Sequence, residues 1–279
     1  MIIAIAVIAG LGLAALLYGM YCTKNLKQTK IDLHYKNLPE SFEGFRIAQI
    51  SDLHNNTLGK DNKKVLSILK KAKPDLIAIT GDMIDSRHTD IETATALARK
   101  MVKIAPCYYV CGNHEARMPD NYATLMKKLK SIGVTTMKNE KITLARNNKK
   151  ITIIGAEDPY VIRKDTGEEN ADIMDSALSK LRTENDGFTL LLSHKPELLS
   201  TYAKHNIDLA LTGHAHGGQI RLPFVGGLFA PNQGFLPKLC SGIHKEENTT
   251  MVISRGVGNS QFPIRFLNPP EIPIITLHK

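Results

Sequence analysis

FRIAQISDLH, residues 45–54, sets the fold. Its first seven residues are apolar and β-prone, and the next apolar residues fall at helical spacing on Val65, Leu66, Leu69 and Ala72. The unit then recurs. DLIAIT (75–80) reads as a strand ahead of a helical stripe through Ile91, Ala94, Leu97, Ala98, Met101 and Val102. CYYVC (107–111) reads as a third strand ahead of Tyr122, Leu125, Met126, Leu129 and Ile132. Strand and helix in alternation predict βαβ units around a buried sheet, an α/β fold.

The second half keeps strands but changes character. KITLARNNKKITIIG (141–155) predicts a hairpin turning at Asn147 and Asn148, followed by a polar loop and a helix over 172–181. FTLLLS (188–193) and IDLALT (207–212) read as buried strands with the helix PELLSTYAKH between them. TMVISR (250–255) and EIPIITLH (271–278) read as late strands. One sheet does not usually hold so many, which predicts two packed sheets with helices outside.

Residues 2–22 carry no charged side chain. About twenty such residues cross the hydrocarbon core as a helix. A cleaved leader would bring a basic first region and an A-x-A-like site, and neither occurs, so the segment reads as one uncleaved transmembrane anchor, with a buried helix as the alternative. Lys24, Lys27 and Lys30 follow the span, which places the large domain in the cytoplasm by the positive-inside rule. The expected division is an anchor over 1–23, a membrane-proximal segment with a first strand (IDLHY) over 24–44, and one domain over 45–279.

The chain has 279 residues and a net charge of +9, which suits anionic partners such as phosphorylated substrates or acidic lipid, unless the lysines only form a solvated face. There is no Trp and no basic block interleaved with aromatics, so composition does not support a nucleic-acid platform. Four cysteines in a chain of this length read as buried reduced thiols.

The chemistry sits just past the strands. FRIAQIS ends in Asp52 and His54, DLIAIT in Gly81-Asp82, and CYYVC in Gly112-Asn113-His114-Glu115. FTLLLS ends in His194, and IDLALT runs into TGHAHGGQI with His214 and His216. Taken singly, each is a turn residue or a helix cap; together, in the crevice beyond the carboxyl ends of α/β strands, they form a donor set. If the segment is extended, His214 and His216 project to one side, and the glycines leave room for a ligand. A mixed nitrogen and oxygen set suits Mn, Fe, Zn or Co rather than Ca, and two such ions sharing a water are built for displacement at phosphorus.

D-x-H, GD, GNHE, a lone His and GHxH, in this order from about residue 45 onward, resemble the calcineurin-like metallophosphoesterases. GHAHGGQ and the later SRG…PPEI are similar to the bacterial membrane-anchored phosphodiesterase branch. The resemblance implies an α/β/β/α sandwich with mixed sheets. It implies one divalent ion on Asp52, His54 and His216, a second on Asn113, His194 and His214, and Asp82 bridging them. His114 would bind no metal and would act beside the leaving group as general acid or charge stabiliser. Manganese is the first expectation, with Fe, Zn or Co as alternatives, and a metal-bridging hydroxide is the expected nucleophile. The implied activity is that of a phosphodiesterase or pyrophosphatase at the membrane, on lipid-linked phosphates such as UDP-diacylglucosamine. A nuclease or cyclic-nucleotide phosphodiesterase shares the chemistry, and a membrane binding protein with structural metals is the non-enzymatic rival.

Two further features carry paired readings. The loop LPFVGGLFAPNQGFLPKL (222–239) is either packing under the sheet or an apolar lip touching a bilayer. Arg255 and Arg265 either hold a second phosphate or head group, or form structural salt bridges.

Overall fold

The repeated strand–helix units build one sheet and the later strands a second in the computed structural model, which describes residues 1–259 and 262–279. The first half contributes α1 (Ile2–Lys24), β1 (Lys27–His34), β2 (Phe45–Ile50), α2 (Lys63–Ala72), β3 (Leu76–Thr80) and α3 (Ile91–Met101). There follow β4 (Cys107–Val110), α4 (Asn113–Ala116), α5 (Pro119–Ile132), β5 (Thr135–Thr136), β6 (Glu140–Arg146) and β7 (Lys149–Gly155). The second half adds α6 (Tyr160–Thr166), α7 (Asn170–Leu181), β8 (Thr189–Leu192), α8 (Leu199–Lys204) and β9 (Leu209–Thr212). Four two-residue strands come next, β10 (Arg221–Leu222), β11 (Gly226–Gly227), β12 (Phe229–Ala230) and β13 (Gly234–Phe235), and then β14 (Gly242–Glu246), β15 (Thr249–Ile253) and β16 (Glu271–His278).

Each large sheet has six strands, ordered β1-β16-β2-β3-β4-β5 and β14-β15-β9-β8-β7-β6. Both are mixed. β2 to β5 run parallel and β16 meets β2 antiparallel; β15, β9, β8 and β7 run parallel with antiparallel β14 and β6 at the edges. Residues 24–44 supply β1, which pairs with β16 over eight residues at the edge of the first sheet.

Strand alternation sorts the layers. Leu76 and Ala78 of β3 face inward, into a core shared with Leu190, Leu192, Leu209 and Leu211 of the second sheet. Ile77 and Ile79 face outward onto Val65, Leu69, Leu97 and Leu125 of the helices. On the far side Leu191 and Ala210 pack on Leu178 and Tyr202. Both faces of the central strands are thus covered, which is why they read as unbroken apolar runs. The layering is α/β/β/α, as expected.

Some local expectations changed. The polar loop after the hairpin contains α6, and PELLSTYAKH is a 3-10 turn followed by the short α8. β14 was not legible, because its edge position leaves most of GIHKE exposed and without a buried alternation. Residues 213–218 are a turn rather than an extended segment.

The helix α1 stands largely clear of the domain, with only Gly19 and Cys22 buried. It is long and apolar enough to cross a membrane.

Candidate metal centre and catalytic cavity

The carboxyl ends of β2, β3 and β4 meet those of β8 and β9 at one end of the sandwich. Gln49 ties the two sheets there, donating from Nε2 to Thr80 Oγ1 at 3.0 Å and to the Thr212 carbonyl at 2.8 Å. Asp52, His54 and His216 form one cluster whose donor atoms all lie within 4.8 Å of one another. His216 Nε2 is 3.3 Å from Asp52 Oδ1 and 3.1 Å from His54 Nε2. Asp82, His194 and His214 form a second cluster, with His194 Nε2 3.1 Å from Asp82 Oδ2. The same Asp82 oxygen is 3.6 Å from His54 Nε2, so this carboxylate stands between the clusters. Asn113 and His114 line the cavity onto which Asp82, His214 and His216 open. All eight residues singled out in the sequence therefore gather at one place.

The backbone does the gathering. Asp52, His54, Asp82, His214 and His216 all have positive φ, between 47° and 65°. Side chains bearing Cβ atoms seldom adopt this left-handed region, and the strain concentrates where donors must be turned off the ends of the strands. It is this backbone, not strand alternation, that sends His216 to the first cluster and His214 to the second. The glycines before the donors have a different reason. A Cβ on Gly213 would collide with Ser51 Oγ and Asp52 Oδ2, and one on Gly112 would collide with Asp82. Gly217 makes room for Asn268 and Gly218 for Gly227, and Gly218 also lines the cavity described below.

Hydrogen bonds fix which ring nitrogen faces the site. His194 Nδ1 donates to the Thr80 carbonyl at 2.7 Å, which turns Nε2 toward Asp82. His214 Nε2 is 3.1 Å from Asn232 Oδ1 and 3.0 Å from Lys195 Nζ, so that ring is held from behind. His114 Nδ1 accepts the Ser86 backbone N–H at 3.0 Å, so the proton of the neutral ring resides on Nε2. Glu115 is wholly buried and accepts the N–H groups of Asp82, Ile84 and Gly112, fixing the turns that present Asp82 and Asn113.

Burial pushes His54 down to about 3 and holds His214 and His216 well below the usual imidazole range, so these rings are neutral donors. Burial also opposes charge on Asp82, yet His194, then His114 and His54, hold its carboxyl well below the ordinary range. Burial opposes the His194 imidazolium too, but Asp82 pushes it up to about 10. A proton shared by this pair is what a cation would displace.

The residues fit a pair of cations. Neutral imidazole nitrogens 3.1 Å apart converge with a carboxylate, and Asn113 Oδ1 is buried without a hydrogen-bond partner. A divalent ion would satisfy the imidazoles and carboxylate of the first cluster, and a second would give the Asn113 amide oxygen its partner.

The cavity holds about 540 Å³. Ile220, Leu228, Phe229 and Phe262 form its apolar wall, and Arg87 and Arg117 also line it. Sequence reasoning missed several polar residues in and behind its lining. Asp85 places Oδ2 3.6 Å from His54 Nδ1 and Oδ1 3.7 Å from His114 Nδ1, while Arg87 pairs with it at 2.9 Å. Its position three residues after Asp82, in GDMID, was the available signal. Arg117 lies over the Tyr160 ring at 5.6 Å. Of the two arginines considered earlier, Arg255 pairs with Glu271 at 2.6 Å, and the wholly buried Arg265 donates to the Arg255 and Gly258 carbonyls. Both take the structural role. In the 222–239 loop Phe224, Phe235 and Leu236 are exposed, which removes packing as their purpose.

Residues 45–218 match the model of the calcineurin-like phosphoesterase domain. The chain belongs to this family. It is similar to the metallophosphoesterase YkuE of Bacillus subtilis, with 34% identity over 250 residues covering 86% of this chain and 81% of that protein. It is also 26% identical over 258 residues to a Danio rerio transmembrane protein with a metallophosphoesterase domain, covering 90% of this chain and 57% of that one. In fold it is similar to the crystal structure of TT1561 of Thermus thermophilus, with a TM-score of 0.54 and 13% identity, covering 77% of this chain and 90% of that one. The calcineurin-like phosphoesterase chain is accordingly a phosphoester hydrolase that takes a phosphorylated substrate and uses a dinuclear metal centre.

Proposed function

We propose that the chain hydrolyses phosphodiester or diphosphate bonds in amphiphilic substrates at a membrane. One observation carries the reading: two donor clusters share Asp82 at the floor of a cavity whose wall is apolar and whose lining includes His114. Asp52, His54 and His216 would hold one ion and Asn113, His194 and His214 the other, with Asp82 placed to serve both. When bound, two divalent ions activate a water at neutral pH and neutralise phosphoryl oxygens, and manganese is the expected metal.

The side chains do the rest. His114, its Nδ1 occupied by Ser86, delivers the Nε2 proton to the leaving oxygen. Asp85 stands behind both His54 and His114, and its negative charge favours the protonated state of each ring. Asp85 neutralises Arg87, whereas Arg117 makes no ion pair among the described residues and is free to hold a second anionic group. The apolar wall accepts a lipid or other apolar moiety, which supports lipid-linked phosphates such as UDP-diacylglucosamine over a nucleic acid or cyclic nucleotide. A metal-stabilised binding protein would close its sites, and this cavity opens beside them.

Residues 1–23 serve as the anchor, 24–44 as the membrane-proximal segment and 45–279 as the catalytic domain, on the cytoplasmic side. The test is the full chain in detergent, loaded in turn with Mn, Fe, Zn or Co and given nitrophenyl phosphodiesters and diphosphate esters. Hydrolysis supports the reading. Folded protein holding two ions and inert with every metal overturns it.

A further inference from the structure

The anchor helix does not hang from the domain by a loose linker. Its last turns lie against residues 264–266. Tyr18 meets the Phe266 ring edge-on at 5.1 Å, Thr23 Oγ1 accepts the Arg265 N–H at 2.9 Å, and a Cβ on Gly19 would come within 2.5 Å of Ile264 Cγ2. From there the contacts run straight to the cavity mouth. Ile220 bridges Phe266, Arg221 N–H donates to its carbonyl, and Gln219 Nε2 donates to the carbonyls of Phe262 and Ile264. Residues 221–235 then form two short hairpins, β10–β11 and β12–β13.

These hairpins expose apolar side chains of a size that solvent does not favour. Phe224, Val225, Phe229, Phe235 and the adjoining Leu236 are each about half exposed or more, with Phe224 fully so, and Phe262 beside the mouth is likewise half exposed. Phe229 packs edge-on against Phe235 at 5.4 Å, and with Phe262 it also lines the cavity. At the carboxyl end of the anchor Lys64 Nζ donates to the Lys24 carbonyl at 2.9 Å, with exposed Lys60 and Lys63 nearby in sequence and Asp61 the one acid among them.

The anchor decides what covers this face. Its carboxyl-terminal turns are fixed by the Tyr18–Phe266 and Thr23–Arg265 contacts, so a bilayer crossed by α1 meets the domain on the side of residues 262–266 and the two hairpins. Interfacial apolar faces commonly bury about 5–10 Å.

We infer that the two hairpins dock into the headgroup–acyl boundary of the bilayer crossed by α1, setting the cavity mouth at the membrane surface with the lysines on anionic headgroups. This rests on the membrane placement proposed above. It adds that the mouth is membrane-facing by construction, so that substrate enters from the lipid phase.

The chain lacks tryptophan, so Phe224→Trp creates a single reporter. The full-length variant is reconstituted into phosphatidylcholine–phosphatidylglycerol vesicles with and without bromine on the acyl chains. Emission is expected to be blue-shifted and to fall roughly twofold with brominated lipid, as for a ring about 5–10 Å into the boundary. Lys150→Trp, at the amino end of β7 and so at the opposite end of the parallel strands, is expected to stay unquenched. An unquenched indole in Phe224→Trp protein that floats with the vesicles overturns the inference, as does burial of that indole against a second copy of the chain. In a second arm, Phe224→Ser with Phe235→Ser is expected to lose roughly tenfold in rate on a vesicle-borne phosphodiester and nothing on a soluble one. Equal loss on both overturns it. Quenching in the Phe224→Trp variant without hydrolysis of any ester supports the docking while removing the hydrolase reading.

Discussion

His54 Nε2 and His216 Nε2 lie 3.1 Å apart, although 162 positions of sequence separate them. Burial keeps both rings neutral, so a divalent ion on this pair and Asp52 stabilises the fold directly. Saturating Mn²⁺ is expected to add roughly 2.7 kcal/mol per ion at a hundredfold excess over Kd, read as a rise in Tm. Asp82→Ala should abolish the rise and both ions, counted by elemental analysis. Retention of two ions in that variant would remove the shared-carboxylate assignment.

His114→Ala should keep both ions and lose roughly 10²–10⁴ in kcat, the span of a missing general acid. The loss should shrink for nitrophenolate, a leaving group that needs no proton. Equal losses for nitrophenyl and alkyl esters would mean that His114 acts some other way.

Gly213→Ala probes the crowding behind Asp52. The added methyl collides with Ser51 Oγ and Asp52 Oδ2, so the site must shift, at a cost of roughly 1–3 kcal/mol. Calorimetric titration with Mn²⁺ should show weakened affinity. Unchanged affinity would show that the turn relaxes freely.

Arg117→Ala should raise KM for diphosphate esters by roughly tenfold, the value of one charged hydrogen bond at an exposed position. Simple monoesters should be unaffected. A comparable change for both would assign Arg117 to the reacting phosphate instead.

Glu271 gives a pH signature outside the site. Burial opposes its charge, but Arg255 and then Thr29 hold its carboxyl below the ordinary range. Because the folded value is the lower one, its stabilisation is complete above the unfolded value of about 4.3 and fades as pH falls below it. Glu271→Gln should cost roughly 1–3 kcal/mol at neutral pH. Melting curves should converge with those of the wild type in acid, and a constant gap at every pH would deny the linkage.

The strands and donors were legible for a shared reason. Strands covered on both faces leave unbroken apolar runs such as LIAIT and LALT, and the polar residues that end such runs stand out. What stayed hidden depends on partners remote in sequence. Gly213 looks like a turn residue until Ser51 and Asp52 are placed against it. Arg265 looks like an anion binder until it is found buried under the Arg255 and Gly258 carbonyls. Left-handed φ at Asp52 or His216 leaves no mark in composition, and β14 pairs along an exposed edge where no pattern is enforced.

Two of the donor clusters draw on both halves of the sandwich, Asp52 and His54 with His216, and Asp82 with His194 and His214, while a third, His54 with Asp82 and His114, lies within the first half. A cation held on either shared cluster would rivet together two halves that otherwise meet chiefly through oily contacts and a few polar links such as Gln49. A slip of one strand between the layers would dismantle both of the shared clusters at once, so the geometry of each depends on the two sheets being docked in register.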